Sequence, residues 1–385
     1  MTSQKHLFDL PPDIHYLNSA YMTPLMRSVY EAGVKGLQWK VNPSLIGADD
    51  FFKQADIVRA QFAKLVNAPK QQIAVIPSAS YGLKAAINNI PTDIGTHAVA
   101  VGNEFPSDYY TISSWCKNNH KELKIISAPE ITNARAAAWN ELIVDAISDK
   151  TCAVVLSTIH WADGTKFDLK KIGEKCRASN ARFIVDGTQS VGALSMDVDA
   201  FKIDALVCAA YKWLMGPYSI GLAYYNEIYN DGIPLEDSWM TKSNASDFTN
   251  LTNYVDEYSP GAFRYNMGEF TNPIHLQMLE QSLLQIESWG IDNIQQYCQR
   301  LNGPLLRFLK ENGYWLEDDG HRANHLFGFS LPQFVDKKKL LQHLTDQKIF
   351  VSLRGNIIRV SPHVCNDESD IQAFVDALKT IHSAS

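Results

Sequence analysis

Six short runs, at 73–76, 97–101, 124–126, 152–156, 182–185 and 205–208, constrain the fold most. They are largely apolar at successive positions and rich in β-branched residues. A strand with one wet face alternates apolar and polar residues. A strand apolar at nearly every position is covered on both faces. These runs are separated by longer amphipathic stretches, such as 81–88 and 168–179, and together they predict a mostly parallel sheet wrapped by helices. The expected class is α/β. From about Pro273 the character changes. Residues 274–312 read as a long helix, a break at Trp289-Gly290-Ile291-Asp292, and a second helical region. Gly313 sits where a C-terminal glycine belongs. Strand-like pieces at 325–331, 350–352 and 356–360 then alternate with helical ones at 336–347 and 368–381, the pattern of a smaller α+β lobe. The expected organisation is an N-terminal arm over 1–15, a large domain over 16–288 and a small C-terminal domain over 289–385. A chain of 385 residues is long enough for two such lobes.

Composition excludes several classes. The chain is 45% hydrophobic and 20% charged, which is too apolar for a mainly disordered protein. Its net charge of −7 lacks the basic footprint of a general nucleic-acid binder. The most apolar long stretch, 205–226, contains Lys212, Gly216, Pro217 and Gly221, so it reads as a buried strand and loop and not as a membrane span. No signal-peptide core stands in residues 1–12, and six scattered cysteines without a CxxC pair read as free thiols. The expectation is a cytoplasmic protein that engages neither membrane nor nucleic acid. His321 and His325 have the i, i+4 spacing of zinc ligands, but no Glu follows the first and no third ligand suggests itself, so no metal is expected.

One charged residue stands out. Between Asp204 and Glu227 the only charge is Lys212. An ammonium in apolar surroundings is destabilised, and the neutral amine that remains is the nucleophile a carbonyl needs to form a Schiff base. A lysine that snorkels its head to the surface is the alternative. Upstream, the run 182–185 ends in Asp186-Gly187-Thr188-Gln189. The carboxyl ends of strands form the ligand crevice of open α/β sheets. A carboxylate there needs a cationic partner or serves as a helix cap. The protonated ring nitrogen of pyridoxal phosphate (PLP) would be such a partner. Ser78-Ala79-Ser80-Tyr81-Gly82 follows a strand and opens a helix, with residues small enough to cradle a phosphate. The chain has neither GxGxxG nor a P-loop motif.

Together these segments resemble the class V aminotransferase family of PLP enzymes of fold type I, which includes cysteine desulfurases, kynureninase and isopenicillin N epimerase-like proteins. Asp186-Gly-Thr-Gln189 followed by Tyr211-Lys212-Trp213 carries the resemblance most specifically. It implies a large PLP-binding domain with a mostly parallel sheet and a smaller α+β domain. By the same resemblance Lys212 would form the Schiff base and shuttle protons at the substrate Cα, and Asp186 would hold the pyridinium nitrogen. Gln189 would meet the phenolic oxygen. Ala79, Ser80 and Tyr211 would bind the phosphate. Phe105, in a segment that looks like the FPSD of kynureninase, would stack on the ring. Thr271 and Asn272 lie in a stretch by which a neighbouring subunit reaches the phosphate, which implies a homodimer with shared sites. Arg359 would grip the substrate α-carboxylate through its bidentate fork. Arg354 is a second candidate, or a surface turn residue. Two positions depart from the pattern: Ala209 stands where desulfurases tend to place Ser, and Asp163 where many relatives have Asn.

The expected reaction takes place at the Cα of an amino acid. Desulfurases need a cysteine on the loop before the substrate arginine, and residues 341–353 contain none. An aminotransferase is the first expectation. A Cβ–X lyase or hydrolase, an epimerase and, least of all, a non-catalytic scaffold are the alternatives.

Overall fold

The structure is a computed structural model that describes residues 1–130 and 133–383. Strand β1 (His15–Tyr16) and helices α1 (Arg27–Gln38) and α2 (Asp50–Leu65) open the chain. The alternating part follows: β2 (Ile73–Ile76), α3 (Ala79–Asn88), β3 (His97–Val101), α4 (Pro106–Asn118), β4 (Glu122–Ile126), α5 (Arg135–Ala146), β5 (Thr151–Ser157), α6 (Leu169–Ala178), β6 (Arg182–Asp186), β7 (Ala205–Ala209) and β8 (Gly221–Tyr225). Helices α7 (Pro273–Trp289) and α8 (Ile291–Glu311) lead to β9 (Trp315–Leu316), β10 (Phe327–Ser330), α9 (Lys337–Asp346), β11 (Ile349–Phe350), β12 (Ser352–Arg354), β13 (Ile357–Val360) and α10 (Glu368–Ser383).

Seven strands form the central sheet in the order β2-β8-β7-β6-β5-β3-β4. All pairings are parallel except those of β8, which runs antiparallel to β2 and to β7. Each strand feeds two cores. Ile73 and Val75, Val99 and Val101, and Phe183 and Val185 face one apolar layer with α2, α5, α6 and α7. Ala74 and Ile76, Ala98 and Ala100, and Ile184 face the other, with α3 and α4. Two covered faces are why these strands lack polar alternation. All six expected strands are present. The seventh large-sheet strand, β8, lies inside the apolar stretch 205–226, where strand and loop are hard to separate by pattern.

The second sheet has the order β12-β13-β10-β9. It packs with α8, α9 and α10 around another apolar core. The expected helix break falls at Gly290, whose φ of +76° joins α7 to α8 and suits a residue without Cβ. The N-terminal segment belongs spatially to this region. β1 pairs in parallel with β11, and Ser19 N–H donates to Ser361 O at 3.0 Å.

One glycine sets how near the first crossover helix comes to the sheet. A Cβ on Gly82 of α3 would lie 2.7 Å from Ile76 Cδ1 and 2.8 Å from Val207 Cγ1. Gly82→Ala is therefore expected to lower the thermal midpoint, with an overpacking cost of about 1–3 kcal/mol. Helix propensity alone would raise stability by about 1 kcal/mol. A raised midpoint would show that α3 does not need this close approach.

Candidate functional site

The carboxyl ends of β2, β3, β5, β6 and β7 converge, and a cavity of about 270 Å³ opens there. Lys212, Asp186, Gln189, Ala79, Ser80, Phe105 and Tyr211 all line it. Seven of the residues singled out in the sequence thus share one cavity, although they are drawn from four separate segments of the chain.

Lys212 stands three residues past the end of β7 and is 7% exposed. Its Nζ makes no hydrogen bond or ion pair among the described residues. It stands 5.6 Å from the Phe105 ring centroid and 5.5 Å from that of Tyr211. Burial, opposed by the charge of Asp186 and assisted by that of Arg359, pulls its pKa down to about 8. Asp186 ends β6 and is buried, and Thr188 N–H donates to its Oδ1 at 2.7 Å. Burial raises its pKa, while the Thr188 hydrogen bonds and Lys212 work against that rise. The snorkelling alternative for Lys212 is excluded by this burial.

The turn between β2 and α3 presents free donors. Ser78 caps α3, its Oγ accepting from Tyr81 N–H at 3.2 Å. Among the described residues the N–H groups of Ala79 and Ser80 have no partner at this helix start, and both residues border the cavity. Phe105 caps α4, and its backbone is fixed by Glu104. The Glu104 carboxylate accepts from Phe105 N–H at 2.8 Å and from Ser157 N–H at 2.9 Å. Phe105 meets the Trp161 ring edge-on, with centroids 5.6 Å apart. Gln189 is held from both ends: Trp213 Nε1 donates to its Oε1 at 3.0 Å, and its Nε2 donates to Ala20 O at 3.2 Å. One N–H of that amide remains free for a cavity ligand.

Arg359 and Arg354 are not among the cavity-lining residues. They stand beyond it on the Trp161 side, where Arg359 Nη1 donates to Trp161 O at 2.7 Å. Thr271 and Asn272 are elsewhere. Thr271 borders a separate cavity with Trp39, Asp50 and Lys53, and Asn272 caps α7. Asp163 turns away from the cavity into a buried network, Arg135 Nη2 lying 2.7 Å from its Oδ2 and His160 Nδ1 3.0 Å from its Oδ1. Burial works against ionisation, yet His160 and Arg135 hold Asp163 below the usual carboxylate range. Arg135 also pairs with Glu317 at 3.0 Å.

Sequence reasoning missed Asp108. It is 1% exposed, and among the described residues neither carboxylate oxygen has a hydrogen-bond partner. Burial and the nearby Asp186 and Glu104 push its pKa well up. Its place in Phe105-Pro-Ser-Asp108 was the available signal, but spacing could not show that it lies near Asp186 and Glu104. His325 is no metal ligand: its Nε2 lies 2.9 Å from Gln189 O and its Nδ1 2.8 Å from Gln295 Nε2. Among the described residues no cluster of metal-ligating side chains exists. No described helix is long and apolar enough to cross a membrane.

The arrangement fits PLP on its chemistry. It brings together an uncommitted amine, a buried carboxylate for a ring nitrogen, a flat apolar ring wall and free N–H donors for a phosphate. Comparison with known proteins agrees. The family described as aminotransferase class-V matches residues 15–374. An uncharacterized aminotransferase of Bacillus subtilis (strain 168) is 23% identical over 372 residues, covering 94% of this chain and 93% of that protein. A cysteine desulfurase of Colwellia psychrerythraea is 28% identical over 221 residues, 54% of this chain and 52% of that one. A kynureninase of Cryptococcus neoformans is 25% identical over 272 residues, 66% of this chain and 58% of that one. The fold is that of the apo cysteine desulfurase of Thermococcus onnurineus NA1, with a TM-score of 0.82 at 18% identity over 100% of this chain and 99% of that one. A cystine C-S lyase complexed with cysteine persulfide matches with a TM-score of 0.84, also at 18% identity, over 96% of this chain and 98% of that one. The chain belongs to the class V aminotransferase family and is a PLP-dependent enzyme, a transferase or a lyase.

Proposed function

We propose that the Lys212 cavity is the active site and that the reaction is transamination of an amino acid. One observation carries this reading: a buried, unpaired amine opposite a buried carboxylate, in a cavity with free helix N-terminal donors. Bound there, PLP supplies the electron sink that acidifies the substrate Cα. Lys212 Nζ would hold the cofactor and would carry the proton at the substrate Cα. Asp186 keeps a positive charge on the ring nitrogen, and Thr188 orients that carboxylate. Ala79, Ser80 and Tyr211 would hold the phosphate, Phe105 would cover the ring and Gln189 would meet its phenolic oxygen. Arg359 orients the substrate α-carboxylate.

Persulfide chemistry is disfavoured by the thiols. All six cysteines are free and buried, and burial pushes the Cys365 thiol up to about 12. A thiol held protonated is a poor sulfur acceptor. The full-length similarity to an uncharacterized aminotransferase supports the transferase reading.

A homodimer is part of the proposal. Tyr30, Val34 and Leu37 form an exposed apolar stripe on α1 at i, i+4, i+7 spacing, close to Met22 and Leu25 in sequence. Thr271 and Asn272 lie outside this chain's own cavity, as residues serving a neighbouring subunit would. Six reduced thiols also suit a cytoplasmic enzyme.

The visible spectrum during titration with L-amino acids, without keto acid, tests the reaction type. Stable loss of the yellow band with release of a keto acid is expected. A transient change followed by recovery points instead to lyase, hydrolase or epimerase chemistry. Lys212→Ala should lose both the yellow band and borohydride trapping; a trappable yellow variant would move the attachment site elsewhere. Arg359→Ala should weaken amino-acid binding while PLP is retained, and unchanged substrate affinity would remove its assigned role.

The amine also makes a pH prediction for the cofactor-free protein. With a pKa near 8 when folded, against 10.5 in its ordinary state, Lys212 holds fewer protons folded than unfolded between those values. Its contribution to stability therefore rises with pH across that window. Labelling of Lys212 by a small neutral aldehyde, trapped by borohydride and read by peptide mass, should rise about tenfold from pH 6 to 7 and level off above about 8. Asp186→Asn removes the charge that supports the ammonium and should move the midpoint lower. A midpoint near 10 would contradict the burial argument.

A further inference from the structure

The site described so far accounts for one arginine and leaves another unexplained. β12 and β13 pair antiparallel, with Ser352 opposite Arg359 and Arg354 opposite Ile357. Residues two apart on a strand share a face. Arg354, Ser352 and Arg359 therefore project from the same face, and the two arginines occupy a diagonal of the ladder, a separation of about 7–8 Å.

Both guanidiniums engage Trp161. Arg359 is 1% exposed and gives one N–H to Trp161 O. Arg354 is half-buried, and its Cζ stands 5.5 Å from the centroid of the Trp161 ring. Trp161 itself borders the Lys212 cavity. The Nε of each arginine is buried with no hydrogen-bond partner among the described residues. Arg354 spends only Nη1, on the carbonyl of Leu353 at 2.9 Å. Among the described residues neither arginine has a carboxylate partner.

Each guanidinium carries five N–H donors, so most of the ten are unused. Two like charges this close, partly withdrawn from water, repel. Burial and the charge of Arg354 together pull the Arg359 pKa down to about 9. One α-carboxylate has two oxygens and matches one fork. That leaves the second fork and its repulsion unanswered. An ordinary turn arginine would extend into water; this one lies over an indole with Nε enclosed. The hairpin that carries it is pinned, because Lys337 Nζ donates to Gly355 O at 2.9 Å.

We propose that Arg354 is a specificity residue and that the substrate is a dicarboxylic amino acid. Arg359 takes the α-carboxylate, and Arg354 takes the side-chain carboxylate beside Trp161. This rests on the Lys212 cavity being the active site.

Non-reacting acids test it by calorimetry on the PLP-loaded enzyme. Succinate and glutarate should bind about 10–100-fold more tightly than propionate and butyrate, the worth of one charge-assisted fork. Arg354→Gln should collapse that ratio toward one. Arg354→Lys, which keeps the charge but not the fork, should leave an intermediate ratio. Equal affinity of the diacids and monoacids in the unaltered enzyme overturns the proposal, as does a preference that survives Arg354→Gln. The spectral titration separates the two readings. A yellow band that L-alanine bleaches as readily as L-aspartate and L-glutamate overturns the substrate class but leaves the PLP site standing. A band that no amino acid moves overturns the site and this inference with it.

Discussion

The site depends on withholding water from one ammonium. Lys212 sits just past the end of β7, where the chain must turn back sharply to run antiparallel as β8. Met215 and Ser219, both non-glycine residues, take positive φ values of 55° and 64° in that turn. Such backbone is costly and persists only where the surroundings over-determine it. Here Trp213, Leu214 and Met215, which follow the lysine in the chain, are all fully buried. The fold thus places an amine where solvation cannot stabilise its charge. Asp186, one strand away, returns only part of that stabilisation.

Three buried carboxyl groups, Asp186, Glu104 and Asp108, share this neighbourhood, and their environments separate them. Glu104 is satisfied by the N–H groups of Phe105 and Ser157 and by the Ser157 hydroxyl. It works as a brace for the ring wall. Asp186 has Thr188 and Lys212 to support its charge. Among the described residues Asp108 has no side-chain or neighbouring N–H partner, and burial beside Asp186 and Glu104 favours its neutral form. With Asp108 neutral and Lys212, Arg359 and Arg354 nearby, the site leans positive. A phosphate and carboxylates suit such a field.

Most of the sheet was legible because burial on both faces is a local signal: the side chains of each strand report it without knowledge of partners. Gly290 and Gly313 were legible for the same reason, since each answers a local backbone demand. Pairings between distant segments were not legible. β1 meets β11 across more than three hundred residues, and nothing in His15-Tyr16 specifies that partner. The same limit explains Asp163. As a departure from the family pattern it was visible, but its reason, Arg135 from one helix and His160 from its own loop, exists only in three dimensions. Lys212, Asp186, Gln189, Ala79, Ser80, Phe105 and Tyr211 could be named from their motifs. Their meeting in one cavity required the order in which the strands are laid side by side.

Trp161 shows how the ring wall and the arginine pair are linked. Its indole N–H and the His160 ring both reach the carbonyl of Asn103, at 2.8 and 3.1 Å. Asn103 can present that carbonyl because it adopts a left-handed φ of 54°, which asparagine tolerates better than most residues. From this anchored position Trp161 touches Phe105 with its ring edge, offers its carbonyl to Arg359 and lies against Arg354. A shift of the indole would therefore disturb the ring wall and both arginines together. His160 ties this point to the Asp163–Arg135–Glu317 network, whose far end lies just past β9 beside the second sheet. One of the ties between the two sheets thus starts beside the ring wall and the two guanidiniums, where an error of an ångström would matter most.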